Sequence, residues 1–318
     1  MSKFAKLLIV MGIMALVLVV MVAGALGYLG HRVTGKFAKV EIGKSIVAKD
    51  PSSETVNFLL MGTDTRLNAS NRADWAKGGS RTDALMLAQL SSDKNYVTVM
   101  SIPRDSWVEI PGHGKAKINA AFAYGGPSLA VQTVEKLTGV HIDHFAIVNF
   151  ESFTSVTDKL GGVQVQTMDG LQSFDGKDAL AYVRERHSLA RGDFDRVQRQ
   201  QAWLRGIMKK LFTSEVLTSP RKALGIAETI AEDVTVDSAL GNTEILKLAY
   251  KMKATTPAHV RFITAPVRGV GTSDDGQSIV QLNDDALAQL MVAWREDRLE
   301  QYLDSGRAET DSLRQNAP

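Results

Sequence analysis

The sequence predicts an α/β chain: a three-layer α/β/α sandwich with a central mixed sheet, preceded by one N-terminal transmembrane helix. Three observations predict it. Short runs such as Phe58-Leu59-Leu60-Met61 are continuously apolar, as strands covered on both faces are. Amphipathic stretches of helical length separate these runs, which lays helices on both sides of one sheet. Leu7 to Gly30 carries no charged residue.

At about 1.5 Å per residue, Leu7–Gly30 reaches roughly 36 Å, enough to span a hydrocarbon core. Lys3 and Lys6 precede it, so residues 1–6 are expected in the cytoplasm, although Arg32, Lys36 and Lys39 weaken the charge asymmetry. Ala23-Gly24-Ala25 resembles a signal-peptide cleavage site, but the apolar run exceeds a usual h-region and favours an uncleaved anchor. Everything after residue 40 is then expected outside the cytoplasm. Residues 31–54 are polar and mixed and read as a juxtamembrane linker. Residues 55–305 read as the folded domain, and the polar residues 306–318 as a fraying, flexible tail.

Within the domain, strands are expected at Val56–Met61, Ala84–Leu90, Tyr96–Ile102, Phe145–Phe150, Val163–Gln166 and His259–Thr264. Helical patterns cover Pro127–Leu137, Glu151–Leu160, Asp178–Arg184, Phe194–Phe212, Pro220–Ala231, Asn242–Lys253 and Asp284–Trp294. Pro127 and Pro220 suit first helical turns, and Gly139 and Gly161 suit helix exits. The chain has 318 residues, of which 44% are hydrophobic and 23% charged, with a net charge of +2. That composition excludes a disordered or nucleic-acid-coating protein. Zero cysteines exclude disulfides, thiolate metal sites and a cysteine nucleophile. No G-x-S-x-G elbow, Walker A loop or H-E-x-x-H motif occurs. His141 and His144 are three apart, but nothing near them in sequence completes a metal site.

Three clusters fall at expected strand ends, where open α/β sheets bind ligands. They are Gly62-Thr63-Asp64-Thr65-Arg66, Ser80-Arg81-Thr82-Asp83 and Ser101-Ile102-Pro103-Arg104-Asp105, each pairing an aspartate with an arginine. Any one of them could be an ordinary turn. Carboxylates without His or Cys suit a hard, oxygen-preferring cation such as Mg²⁺. Lys115 and Lys117 lie close enough in sequence to reach a neighbouring cleft.

Arg184 to Gln201, RERHSLARGDFDRVQRQQ, holds five arginines and no lysine, although the whole chain uses the two almost equally. The planar guanidinium forks onto phosphate oxygens as an ammonium cannot. Arg184 and Arg186 would point about 200° apart on a continuous helix, so both reach one ligand only if the helix ends near Arg186. Ser188–Gly192 reads as the loop and Asp193 as the next N-cap. Arg196, Arg199 and Gln200 share one face of that next helix. Arg184, Arg186, Arg196 and Gln200 read as anion ligands, whereas Arg191 and Arg205 read as a solvated basic face.

Taken together, NFLLMGTDTR, SRTDALMLAQL, VTVMSIPRDSWVEIPG, KINAAFAYGG, LGGVQV, DGKDALAYVRERHS and GDFDRVQRQQ resemble the LytR–CpsA–Psr family of cell-wall glycopolymer ligases. The motifs occur in family order from about Val56 to Leu211, half the chain. The resemblance implies a membrane-held phosphotransferase acting outside the cytoplasm. Its donor is a polyprenyl (undecaprenyl) pyrophosphate-linked glycopolymer, its acceptor peptidoglycan, and the product a phosphodiester. It implies Mg²⁺, with Mn²⁺ as a substitute, at Asp64 and Asp83. It implies pyrophosphate contacts from Arg81, Arg104, Arg184, Arg186, Arg196 and Gln200, the arginines and the two metal-binding aspartates acting in catalysis. Asp105 is a candidate base or arginine orienter. Competing readings are a prenyl-phosphate-binding protein without turnover, a pyrophosphatase, and a membrane-tethered transcriptional regulator. The sequence names neither the polymer nor the lining of a lipid cavity.

Overall fold

In the computed structural model, the described residues are 38–63 (except 42), 82–148 (except 94–95), 150–185, 189–211 and 234–312 (except 242, 245–246 and 249–258), with 228, 231, 315, 317 and 318. The expected transmembrane segment and the expected helix Pro220–Ala231 lie outside them almost entirely. Among the described residues no helix is long and apolar enough to cross a membrane.

The strands are β1 (Ala38–Val40), β2 (Val56–Thr63), β3 (Thr82–Leu90), β4 (Val97–Ile102), β5 (Trp107–Ile110), β6 (Gly114–Lys117), β7 (His144–Val148), β8 (Val163–Thr167), β9 (Gly170–Phe174), β10 (Val234–Asp237), β11 (Val260–Thr264), β12 (Val267–Thr272), β13 (Ser278–Leu282) and β14 (Asp311–Ser312). We number the helices α1 (Ala120–Thr138), α2 (Phe150–Lys159), α3 (Gly176–Arg184), α4 (Asp193–Leu211), α5 (Asp284–Arg295) and α6 (Leu299–Asp304). The main sheet has the order β1-β10-β7-β2-β3-β4-β11-β14. It is mixed: β2–β7, β4–β11 and β1–β10 pair in parallel, while β2–β3, β3–β4, β7–β10 and β11–β14 pair antiparallel.

Alternate residues of the buried strands face opposite layers. Leu59, Met61, Leu85, Leu87, Met100 and Ile102 join one core with Phe122, Val134, Leu290 and Trp294 of α1 and α5. On the other face α4 lies over the sheet, where Gln201 donates to Ser101 Oγ (3.0 Å) and to the Ile263 carbonyl (3.1 Å). Helices on both faces explain the uninterrupted apolar runs.

Several local expectations hold with shifted ends. Pro127 opens a helical segment after the non-helical pair Gly125-Gly126, but α1 already begins at Ala120, ahead of that kink. Gly139 ends α1 at φ 64°, a left-handed position where a Cβ is costly. The strand expected to reach Phe150 stops at Val148, and Phe150 starts α2. The hairpins β5–β6, β8–β9 and β12–β13 escaped the apolar-run criterion except for β8, because most expose one face and alternate only over four to six residues.

Two expectations at the ends are corrected. The linker reading fails for residues 38–50: β1 is a sheet strand beside β10, and the following residues bond to α1. The tail also packs. Asp311–Ser312 pair with β11, Ala317 pairs with β8 around Thr167, and Ala317 is fully buried. Local polarity suggested fraying, but the tail is held by its backbone groups, to which composition is blind.

Candidate functional site

Pairing register brings the carboxyl ends of β2 (Thr63), β4 (Ile102), β7 (Val148) and β11 (Thr264) to one edge of the sheet, beside the amino ends of β3 and β10. Asp83 is the second residue of β3, next to a register shift at Gly62/Thr63. Such bulges re-aim side chains at a strand mouth. Arg104 stands two residues past β4, and its Nη1 donates to Asp83 Oδ1 at 2.6 Å. The Asp83 side chain is only 2% exposed, so this is a charge-assisted bond largely shielded from water.

Arg184, the last residue of α3, belongs to the same cluster. Burial draws its guanidinium below the ordinary value, and the Asp83 carboxylate pulls it back up. The helix ends there because Glu185 turns extended (ψ 137°), one residue earlier than the geometry of the arginine run required. On the other side of Arg104, Asp105 Oδ2 lies 3.6 Å from Arg104 Nε, and Asp105 Oδ1 lies 3.4 Å from Lys117 Nζ. Three cations thus alternate with two carboxylates. The surplus positive charge, presented largely as guanidinium forks, suits a phosphate-like anion.

Arg196 and Gln200 are buried in α4, at 1% and 2% exposure, next to the residue that ties α4 to Ser101. Arg199, expected on their face, is instead held at the side: it donates to the carbonyls of Pro318 (2.6 Å) and Tyr182 (3.1 Å) and covers the Tyr182 ring. Asp64, Arg81 and Arg186 lie outside the described residues. Arg191 is a surface residue as expected, paired with Asp195 and Asp311. Arg205 is not simply solvated. It lines a cleft of about 740 Å³ with Gln164, Gln166, Leu171 and Ser173 of the β8–β9 hairpin, and burial lowers its pKa.

Two residues of the edge were not singled out from sequence. Asn119 occupies the N-cap position of α1 yet makes no capping bond, and among the described residues its buried Oδ1 has no hydrogen-bond partner. Its N–H donates to the Arg104 carbonyl at 3.2 Å. Ser106, fully buried, also carries a hydroxyl without a hydrogen-bond partner among the described residues, and its carbonyl accepts from Ile118 N–H. In the sequence Asn119 stood out only as part of the KINAAFAYGG stretch. Only the missing capping bond marks it as available to a ligand or water.

His141 and His144 are satisfied structurally: His144 Nδ1 lies 3.1 Å from the buried Asp237, and His141 Nδ1 lies 2.8 Å from the Val47 carbonyl. Among the described residues, no three His, Asp or Glu side chains gather as a metal-ligand set. Of the two expected metal ligands, Asp83 lies in the described part of the site, with Asp105 as a second carboxylate on the other side of Arg104. A donor set of hard oxygen fits Mg²⁺ or Mn²⁺, which commonly use one or two carboxylates and complete their shell with water and phosphate.

The LytR_cpsA_psr family model matches residues 31–296. The chain is 29% identical to the cell wall biosynthesis protein LcpA of Corynebacterium glutamicum, over 84% of this chain and 61% of that protein; it spans about three fifths of LcpA. It is 32% identical to the polyisoprenyl-teichoic acid–peptidoglycan teichoic acid transferase TagU of Bacillus subtilis, over 84% of each chain. Among solved structures, TagT bound to LI-WTA superposes with a TM-score of 0.61 at 27% identity, covering 81% of this chain and 98% of that one. With the family's motif order on the strand ends just described and a match across most of its length, the chain belongs to the LytR_cpsA_psr family.

Proposed function

We propose that the protein is a phosphotransferase acting outside the cytoplasm, moving a glycopolymer from a polyprenyl pyrophosphate carrier to peptidoglycan through a phosphodiester. The observation that carries this reading is the buried Asp83–Arg104 pair with Arg184 beside it, at the carboxyl edge of the sheet. The names of TagU, a teichoic acid transferase, and of TagT bound to LI-WTA support the polymer class. In this reading Arg104 and Arg184 bind the pyrophosphate, with Arg81, Arg186, Arg196 and Gln200 completing the grip. A sugar hydroxyl of the acceptor attacks the sugar-proximal phosphorus; the new P–O bond forms as the bond to the bridging oxygen breaks, and prenyl phosphate leaves. Transfer of this kind depends mainly on positioning and on neutralising charge on the phosphoryl oxygens, which fixed guanidiniums do without reorganising.

Mg²⁺ or Mn²⁺, held by Asp83 with Asp64, supplies further charge neutralisation at the phosphates when bound. Asp105 orients Arg104 and Lys117 in this scheme. Asp83→Ala tests the reading, because it removes the buried carboxylate that pairs with Arg104. Transfer to peptidoglycan fragments is expected to fall by about 100-fold or more. Undiminished transfer in this variant, or in excess chelator, would sink the metal-dependent ligase reading.

A further inference from the structure

The chain enters the sheet at the edge that carries the site. β1 pairs in parallel with β10, with Ala38 opposite Thr235, and β10 runs antiparallel to β7 with Val234 opposite Val148. Because Val148 lies opposite Gly62 near the carboxyl end of β2, Ala38 sits at the site-bearing edge. From there the chain crosses the height of the domain to the opposite edge, where β2 starts. It is bonded along the way. Gly43 N–H donates to Ser128 Oγ (3.0 Å), Gln132 Nε2 to the Lys44 carbonyl (2.9 Å), and Ile46 N–H to Glu135 Oε2 (2.9 Å). Ser45 Oγ donates to Glu135 Oε1 at 2.6 Å, and Lys49 pairs with Asp143. Glu135 is fully buried, so it acts as a fixed anchor for this segment.

We infer that residues 38–50 are a docked strut that holds the site-bearing edge of the sheet toward a lipid surface. The inference rests on the reading of Leu7–Gly30 as a membrane anchor. A slack linker of residues 31–54 would let the domain wander by roughly 27 Å in any orientation. With the strut docked, only residues 31–37 separate the anchor from the sheet, a reach of at most about 25 Å even when fully extended. The site edge is therefore the near edge, and a headgroup at the bilayer surface meets Arg104 and Arg184 without the domain turning over. Val270, 69% exposed on β12, lies at this edge, since its partner Val280 donates to the Asp105 carbonyl. Ser52 marks the opposite edge, just ahead of β2.

The chain has no cysteine, so Val270→Cys and Ser52→Cys can each carry a single fluorescent donor. The full chain is reconstituted in phosphatidylglycerol–phosphatidylcholine vesicles with headgroup acceptors. Energy transfer is expected to be at least about twofold higher from position 270, because the sheet is ~26 Å tall. Inserting about a dozen Gly/Ser residues after residue 36, which adds a slack of ~20 Å, is expected to remove the difference. In hydrogen exchange, the amides of Gly43 and Ile46 are expected to be protected by about 100-fold or more. Failure of the full chain to incorporate into vesicles would overturn the anchor reading. Incorporation with equal transfer from both positions, a bias that survives the insertion, or unprotected Gly43 and Ile46 amides would overturn the strut alone.

Discussion

At the scale of single residues, the site separates side chains by how they hold charge. Arg104 donates Nη1 to Asp83 at 2.6 Å, a geometry that an ammonium cannot reproduce while also facing Asp105. Arg104→Lys is therefore expected to lower transfer by about 10–100-fold with little change in melting temperature, by loss of the fixed fork. Asp105 touches Arg104 and Lys117 and is more exposed than Asp83, which suits an orienter. Asp105→Asn is expected to retain transfer within about tenfold with an unchanged pH profile; loss of the acid limb of that profile would make Asp105 the base instead. Asn119 occupies the N-cap position of α1, yet among the described residues its Oδ1 has no hydrogen-bond partner. Asn119→Ala should leave the melting temperature nearly unchanged while weakening transfer, whereas a capping residue would show the reverse.

At the scale of elements, α4 carries two of the expected anion ligands, Arg196 and Gln200, both buried. Its outer side is gripped by the C-terminal strap: Arg191 pairs with Asp311, Gln198 donates to the Ser312 carbonyl, Arg205 to Gln315 and Arg199 to Pro318. Deleting residues 311–318 is expected to lower the melting temperature and, because α4 carries Arg196 and Gln200, to weaken prenyl-pyrophosphate binding as read by calorimetry. The strap also sets a pH dependence. Burial raises the Tyr182 phenol to about 12, Arg199 partly opposing it. The unfolded phenol ionises near 10, so this contribution to stability is complete below pH 10 and is lost as pH rises toward about 12. Tyr182→Phe should melt with a shallower decline across that window. The inner contact of α4 with β8 is equally tight: a Cβ on Gly206 would lie 2.6 Å from the Gln164 carbonyl. Gly206→Ala is expected to cost about 1–3 kcal/mol in denaturant unfolding, since backbone must shift to admit it.

At the scale of the molecule, a mixed sheet gathers strand ends from distant parts of the sequence. Asp83 and Arg184 are a hundred residues apart, yet they share one edge because β3 runs back between β2 and β4. Under the proposed reading, anchoring would work as effective concentration, since a tethered domain meets a lipid-borne donor far more often than a free one. Removing residues 1–37 should leave the melting temperature unchanged and slow transfer from vesicle-borne donor by about tenfold or more, while transfer from a short-prenyl, water-soluble donor persists.

The sequence by itself determined five strands of the main sheet, β2, β3, β4, β7 and β11, because burial on both faces writes a continuous apolar run. The short strands β1, β10 and β14 carry no such run and were missed. The sequence also pointed to a helix exit near Arg186, and α3 ends at Arg184. Tertiary structure alone decided that Arg199 serves the strap while Arg196 stays buried, and that Arg205 lines a cleft. It alone joined residues 38–50 and 311–318 to the domain. Those outcomes depend on backbone hydrogen bonds and on contacts between residues far apart in the chain, which leave no periodic mark in a local stretch of sequence. The pairing of Asp83 with Arg104 stood between the two: the residue types were visible, and only the register of β3 against β4 brought them within 2.6 Å.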